Sequence, residues 1–477
     1  MKPRPEKRLY DWAWVAAAVL VALLLRLSFM STLTGYDEFA YARIAGDIVD
    51  GTFALERVSG YYGFRYLVTF PAALFHKLLG GGSQSVVAWP LLCSLGNTML
   101  AYFLGRELFG RGAGILAAFF QAFLPMSVIY GTMLYPEEIL VFWTGLSALL
   151  FLWGTAKTGR WGGAGMFALA GLCAGLGWHT RLNSAVMLLV FFAWALRRGV
   201  RPAYLAFAAG FFCTLVPDWI AGAALAGDPF FSLRSQLAKL AADTAVYPEG
   251  HAIYLRGLLG LDLYGLALFG IYFYFFAAAA GVAVYRRELG RMWVPLAWFS
   301  LLLLYFEFGP ARLSPYHPVH KQLRFLSMGF FPVLVVAAQF IAGLRPALRA
   351  AAVTLLLGTS AAAAWKMNAY RAAEAAPHRE VAAYLAGRSP SAVYAVDDWA
   401  NSLGYYLRPG RKIPYYAQAG GEGGFIRSPE EALPAGPFPG SCLVADLSAG
   451  GGLPPGLLRY KKDSLEIPGR AGVYCFK

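Results

Sequence analysis

Three groups of side chains in this 477-residue sequence have the types and spacing for chemistry. The first is Asp37-Glu38, an acidic pair just beyond the first long apolar run, Trp12 to Leu33. The second is Tyr135-Pro136-Glu137-Glu138, opening a later apolar run. The third is Glu307, Arg312, His317, His320, Lys321 and Arg324, bracketing the start of another. Carboxylates suit a general base or a hard divalent cation. Arginine, lysine and histidine suit phosphate. Arg324, about one turn inside an apolar helix, is costly there unless it meets an anion or snorkels to the interface. Arg26, within the first apolar run, is expected to pair with an internal carboxylate.

Each acidic pair also has a plainer reading. Asp37 suits a helix N-cap ahead of Phe39 to Val49, whose apolar spacing fits a helix lying along a membrane interface. Pro136 followed by two acids is ordinary chemistry for the first turn of a helix. Capping does not explain why two acidic pairs and a cationic cluster fall on one face of the chain. A phosphate-bearing lipid would use all three: the acids deprotonate an acceptor hydroxyl, and the cations hold the leaving phosphate.

The elements that must carry these residues are membrane helices. The chain is 58% hydrophobic and 14% charged, against roughly 25% charged in soluble domains. Spanning helices need about 20 apolar residues, and about eleven segments approach that length: 12–33, 86–105, 112–130, 138–155, 163–179, 183–196, 203–225, 263–284, 292–308, 322–343 and 349–366. The segment 66–79 is shorter and reads as an interfacial or re-entrant piece. The net charge of +14 resides largely in short basic loops, as the positive-inside rule expects. No nucleic-acid-binding motif accompanies it. Those loops place the N-terminus in the cytoplasm and the C-terminus outside, so that loops 34–85, 131–137, 226–262 and 309–321 share the outer face. Residues 1–366 form the membrane domain. Residues 367–477, rich in Gly, Pro and charge, read as a small extracytoplasmic α/β domain. It has a helix at Arg379–Leu385, strands at 392–396 and 441–445, and a helical pattern over Trp399–Leu407. Outside the cytoplasm, Cys442 and Cys475 could form a disulfide.

The ordered set of residues resembles the GT-C glycosyltransferases, among them the bacterial kin of protein O-mannosyltransferases and of the lipid A aminoarabinose transferase. The resemblance is carried by Asp37-Glu38 with Tyr41 and Ala45, by Pro71 with Leu78-Leu79-Gly80, and by Leu108-Phe109-Gly110-Arg111. It continues through Pro125, Pro136-Glu137, Gly171-Leu172, Gly175-Leu176, Thr180-Arg181, Arg324-Phe325 and Pro332. It implies a polytopic GT-C helical fold in a bacterial inner membrane. The implied activity is an inverting transferase that moves a sugar from a polyprenyl-phosphate donor to a lipid, glycan or protein hydroxyl. It further implies Asp37 as catalytic base beside Glu38, Arg324 as donor-phosphate ligand with Lys321 and His320, and no nucleotide cofactor. A divalent cation (Mg, Mn or Zn) on Asp37 with Glu137 or Glu138 occurs in some relatives only. The aminoarabinose transferases carry Lys-Pro-Pro-Leu where this chain has Gly63-Phe64-Arg65-Tyr66, so Arg65 is the candidate for the lysine's role. Tyr61, Tyr62 and His317 are candidate sugar contacts. The tail holds Asp397-Asp398-Trp399 rather than the Trp-Trp-Asp of oligosaccharyltransferases. A lipid-linked-sugar flippase or transporter is the rival reading, although no duplicated halves are visible.

Overall fold

In the computed structural model the chain divides into two compact units: Met1–Met30 with Ala54–Asn368, and Ser31–Phe53 with Ala369–Lys477. The described residues are 5–30, 33–54, 61–80, 82–246, 252–313, 316–388, 393–395, 399, 402, 415–416, 442–446, 461–468 and 470–476.

The first unit is a helical bundle. All eleven expected spans lie largely in helix. Among the described residues, five helices are long and apolar enough to cross a membrane: Asp11–Ser28, Pro136–Thr155, Pro202–Ala226, Leu323–Ala342 and Pro346–Arg388. A sixth is added if Leu263–Phe269 and Tyr272–Tyr285 count as one span bent by 77°. The bend falls at Gly270, whose φ of 60° is open to glycine. The segment expected over 112–130 is likewise broken, at Leu124-Pro125, into Arg111–Phe123 and Pro125–Tyr130. Tyr66–Leu79 is a short apolar helix.

A close helix crossing explains the glycine of the Gly171-Leu172 signature. A Cβ on Gly171 would stand 1.9 Å from the Phe207 carbonyl oxygen, and one on Gly210 would stand 2.1 Å from that of Ala168. The helices Ala164–Thr180 and Leu205–Ala226 therefore pack backbone to backbone, the usual means of association where lipid removes the hydrophobic drive. Gly145 instead leaves room for the Phe331 ring, seating Pro136–Thr155 against Phe330–Ala342.

Arg26 is fully buried in this bundle. Its guanidinium donates to Ser94 Oγ (2.7 Å), the Ala122 carbonyl (2.9 Å) and Ser127 Oγ (2.9 Å). Ser127 in turn donates to Glu138 Oε2 at 2.9 Å, which also accepts from Asn97 Nδ2 at 2.9 Å. The expected internal carboxylate is thus Glu138, reached through a serine. Such a network is stable only because its charged members are hydrogen-bonded.

The second unit holds a five-stranded mixed sheet. Its strands are β3 (Val393–Ala395), β4 (Tyr415–Tyr416), β5 (Cys442–Asp446), β6 (Lys461–Ile467) and β7 (Ala471–Phe476), in the order β4-β3-β5-β7-β6. A separate hairpin, β1 (Pro310–Leu313) with β2 (Tyr316–Pro318), belongs to the first unit. The strands expected at 392–396 and 441–445 are β3 and β5. The helix expected at 379–385 is the end of the 43-residue helix Pro346–Arg388. Most of the pattern over 399–407, and Asp397-Asp398, lie outside the described residues. Cys442 and Cys475, opposite each other on β5 and β7, form a disulfide across 33 residues. Cys442→Ser is expected to cost this unit about 2–4 kcal/mol. Limited proteolysis would show it as faster cleavage within 393–477 at unchanged cleavage elsewhere.

Candidate active site

Pro136 starts its helix after Tyr135, whose backbone is extended (φ −124°, ψ 155°), and this sets Glu137 and Glu138 in the first turn. Adjacent helical residues point about 100° apart, and the two carboxylates part company accordingly. Glu138 joins the Arg26 network. Glu137, 1% exposed, turns toward two arginines. Arg181 Nη1 lies 2.8 Å from Glu137 Oε1, and Arg324 Nε lies 3.4 Å from the same oxygen. Glu137 Oε2 is buried and accepts no hydrogen bond from the described residues.

Both guanidiniums are fixed by rings as well as by charge. Arg181 lies over Phe325 at 3.7 Å, and Arg324 over Tyr135 at 4.6 Å. Arg324 Nε also donates to Gln322 Oε1 at 2.6 Å. Arg181 reaches the site from the extended residue that ends Ala164–Thr180 (φ −166°). Arg324 sits in the short 3-10 helix Leu323–Gly329, ahead of the α-helix rather than a turn inside it. This corrects the sequence expectation: a tight turn, tethered by Gln322 and Glu137, holds the arginine at the mouth of the helix. The side chains of Arg181 and Arg324 are 10% and 17% exposed. Two guanidiniums are thus gathered on one buried carboxylate, and arginine forks of this kind suit phosphate oxygens.

Lys321 is otherwise engaged. Its Nζ lies 2.8 Å from Glu307 Oε1, with Lys321 2% and Glu307 4% exposed. Glu307 also accepts from the backbone N–H groups of Ala252 and Tyr254. Lys321 is thus half of a buried ion pair in the segment leading to Arg324. Lys321→Met is expected to lower stability by about 3–5 kcal/mol, because it leaves Glu307 charged and unpaired. A lower thermal midpoint with unchanged affinity for phosphate lipid would show this. His320 reaches the group through Gln322, Nε2 to Nε2 at 2.9 Å. His317 lies in β2, and its side chain is outside what is described.

Arg65, Tyr61 and Tyr62 form a cluster of their own. The Arg65 guanidinium lies 4.2 Å from the Tyr61 ring centre, and the two tyrosine rings are 4.6 Å apart. Arg65 is 6% exposed and precedes the helix Tyr66–Leu79. Next to it, Tyr66 donates to Asp218 Oδ1 at 2.8 Å. Burial, then the charge of Asp218, pushes the Tyr66 phenol well above its usual range, so it remains a donor.

In the second unit, Asp37 and Glu38 occupy the first turn of the helix Tyr36–Val49. The N-cap is Gly35, not Asp37. Glu38 does the capping. Its Oε2 accepts from Thr34 N (2.9 Å), Thr34 Oγ1 (3.0 Å) and Gly35 N (3.3 Å), and the residue is fully buried. The buried, thrice-bonded glutamate is thereby given a structural task. Asp37, the other acid of the pair, is partly exposed. Among the described residues, no group of three or more His, Cys, Asp or Glu side chains is arranged to hold a metal ion. Glu137 meets two arginines and Glu138 joins the Arg26 network.

A family model described as dolichyl-phosphate-mannose-protein mannosyltransferase matches residues 66–220. The structure resembles that of ArnT from Cupriavidus metallidurans bound to undecaprenyl phosphate. The TM-score is 0.64 at 14% identity, covering 97% of this chain and 98% of that one. The polytopic helical fold with a small C-terminal α/β domain, expected from the sequence, is the fold this likeness shows. The GT-C likeness extends to the Archaeoglobus fulgidus oligosaccharyltransferase tethered with an acceptor peptide, at TM-score 0.52 and 15% identity. That match covers 84% of this chain and 59% of the other. No curated protein sequence matches the chain. The arginine missed by site reasoning from the sequence is Arg181. Its signal was present: it lies in the Thr180-Arg181 signature and inside the family match. A basic residue at a helix C-terminus, however, ordinarily needs no further explanation.

Proposed function

We propose that this protein is an inverting glycosyltransferase of the bacterial inner membrane. It moves a sugar from a polyprenyl-phosphate donor to an acceptor hydroxyl on the extracytoplasmic side. The observation that carries the reading is the pair Arg181 and Arg324 sharing one buried carboxylate, an anion site in a GT-C fold. The match to a structure that holds undecaprenyl phosphate supports the choice of lipid. The Cys442–Cys475 disulfide supports an oxidising compartment for the second unit.

In this mechanism Asp37 takes the proton of the acceptor hydroxyl as its oxygen attacks the anomeric carbon. The bond from that carbon to the phosphate oxygen breaks, and polyprenyl phosphate leaves with the electron pair. Arg181 and Arg324 receive the developing charge from fixed positions, so little reorganisation is needed when it forms. Glu137 holds the two forks at one angle. Arg65, Tyr61 and Tyr62 contribute a third cation and stacking surface for donor or sugar. One displacement inverts the anomeric centre. NMR of the product glycoside tests the step: the opposite anomer from the donor is expected. Retention would rule out the single displacement, and labelled lipid crossing the bilayer uncleaved would favour the flippase.

A further inference from the structure

The helix that carries Asp37 is built into the same compact unit as the C-terminal α/β domain. Phe39, two residues beyond Asp37, is 1% exposed, and its ring lies 5.6 Å from that of His378. His378 in turn lies against Trp399, with ring centres 4.3 Å apart. Trp399 is 5% exposed and packs in the domain core with Val381, Leu385, Val393 and the disulfide half Cys442. Three aromatic rings therefore run from the helix of the proposed base to the core of the disulfide-clamped sheet.

The middle ring is held in one orientation. Ser402 Oγ donates its single proton to the Trp399 carbonyl at 3.1 Å. It then has only lone pairs to offer the His378 Nδ1 at 2.9 Å, so Nδ1 carries a proton and donates to it. Ser402 is fully buried, where a broken bond of this kind is costly. The Ser402 hydrogen bond and the two ring contacts all bear on the orientation of the imidazole.

We propose that the C-terminal domain sets the position of Asp37, and that His378 is the positioning residue through which it does so. The inference rests on the reading of Asp37 as base. In this reading His378 acts by fixing Phe39 and, through the helix, the carboxylate two residues earlier. A small displacement of a base costs rate more than it costs binding.

The test compares His378→Ala, His378→Phe and Asp37→Asn in the full-length protein, with kcat and KM for a polyprenyl-phosphate sugar and the thermal midpoint measured for each. His378→Ala is expected to lower kcat by about tenfold or more at unchanged KM for the donor. His378→Phe keeps the ring stack and is expected to recover most of that loss, although it loses the Ser402 bond. A His378→Ala protein that folds and turns over at the wild-type kcat would overturn the proposal. So would a kcat loss in His378→Ala that His378→Phe does not repair at equal thermal midpoint, since that tracks the imidazole and not the stack. Asp37→Asn separates the two levels. If it retains full transfer, the base assignment fails, and a His378 effect would then have another cause.

Discussion

Asp37→Asn is expected to lower kcat by about 10²–10⁴ while leaving KM for the lipid donor within about twofold, the usual signature of losing a general base. The substitution keeps shape and removes only the proton acceptor. Glu38 does not supply the missing function, because its carboxylate is buried and already bonded to Thr34 and Gly35. Glu38→Gln is accordingly expected to act on stability. It weakens the contacts that close the start of the helix Tyr36–Val49, at about 1–2 kcal/mol. Steady-state transfer and thermal unfolding of both variants distinguish a chemical from a structural acid. Loss of kcat in Glu38→Gln with full rate in Asp37→Asn would exchange the two roles.

The second large effect is expected at the arginine pair. Arg324→Met and Arg181→Met each remove a charge-assisted contact worth about 1.5–3 kcal/mol. Each should therefore raise Kd for polyprenyl phosphate by about 10- to 100-fold. Arg324→Lys is expected to recover only part of this, because a lysine cannot reproduce a fork held between Gln322, Glu137 and the Tyr135 ring. The double substitution should cost less than the sum of the two, since both arginines share Glu137 Oε1. Titration of polyprenyl phosphate into purified protein measures all four. Wild-type affinity in both single variants would remove the pair from the donor site.

The membrane class, the helical segments, the late strands and the need of Arg26 for an internal carboxylate could all be read from residue type and spacing. Apolar runs of spanning length have few alternatives, and a charge inside one must find a partner. The division of labour among the acids was hidden. Glu137 and Glu138 are neighbours in sequence, yet one helical step sends them to different partners. Charge alone likewise makes a pair of Asp37 and Glu38, whereas the longer side chain folds back onto Thr34 and Gly35. Glu307 and Lys321 fall in one cluster of the sequence, yet the 14 residues between them leave their pairing unrecorded. Arg181 was masked by its place at a helix end. The grouping of residues 31–53 with the C-terminal unit joins segments more than 300 positions apart, and no local pattern records such a pairing.

The most direct measurement is transfer of radiolabel from a panel of polyprenyl-phosphate sugars, with the purified protein in liposomes and an envelope extract as acceptor. The expected result is label moved from one donor to an acceptor, with free polyprenyl phosphate formed in equal amount, and both lost in Asp37→Asn. Label that stays on the lipid with every donor and acceptor tried, while the lipid itself changes leaflet, would contradict the assignment as a glycosyltransferase.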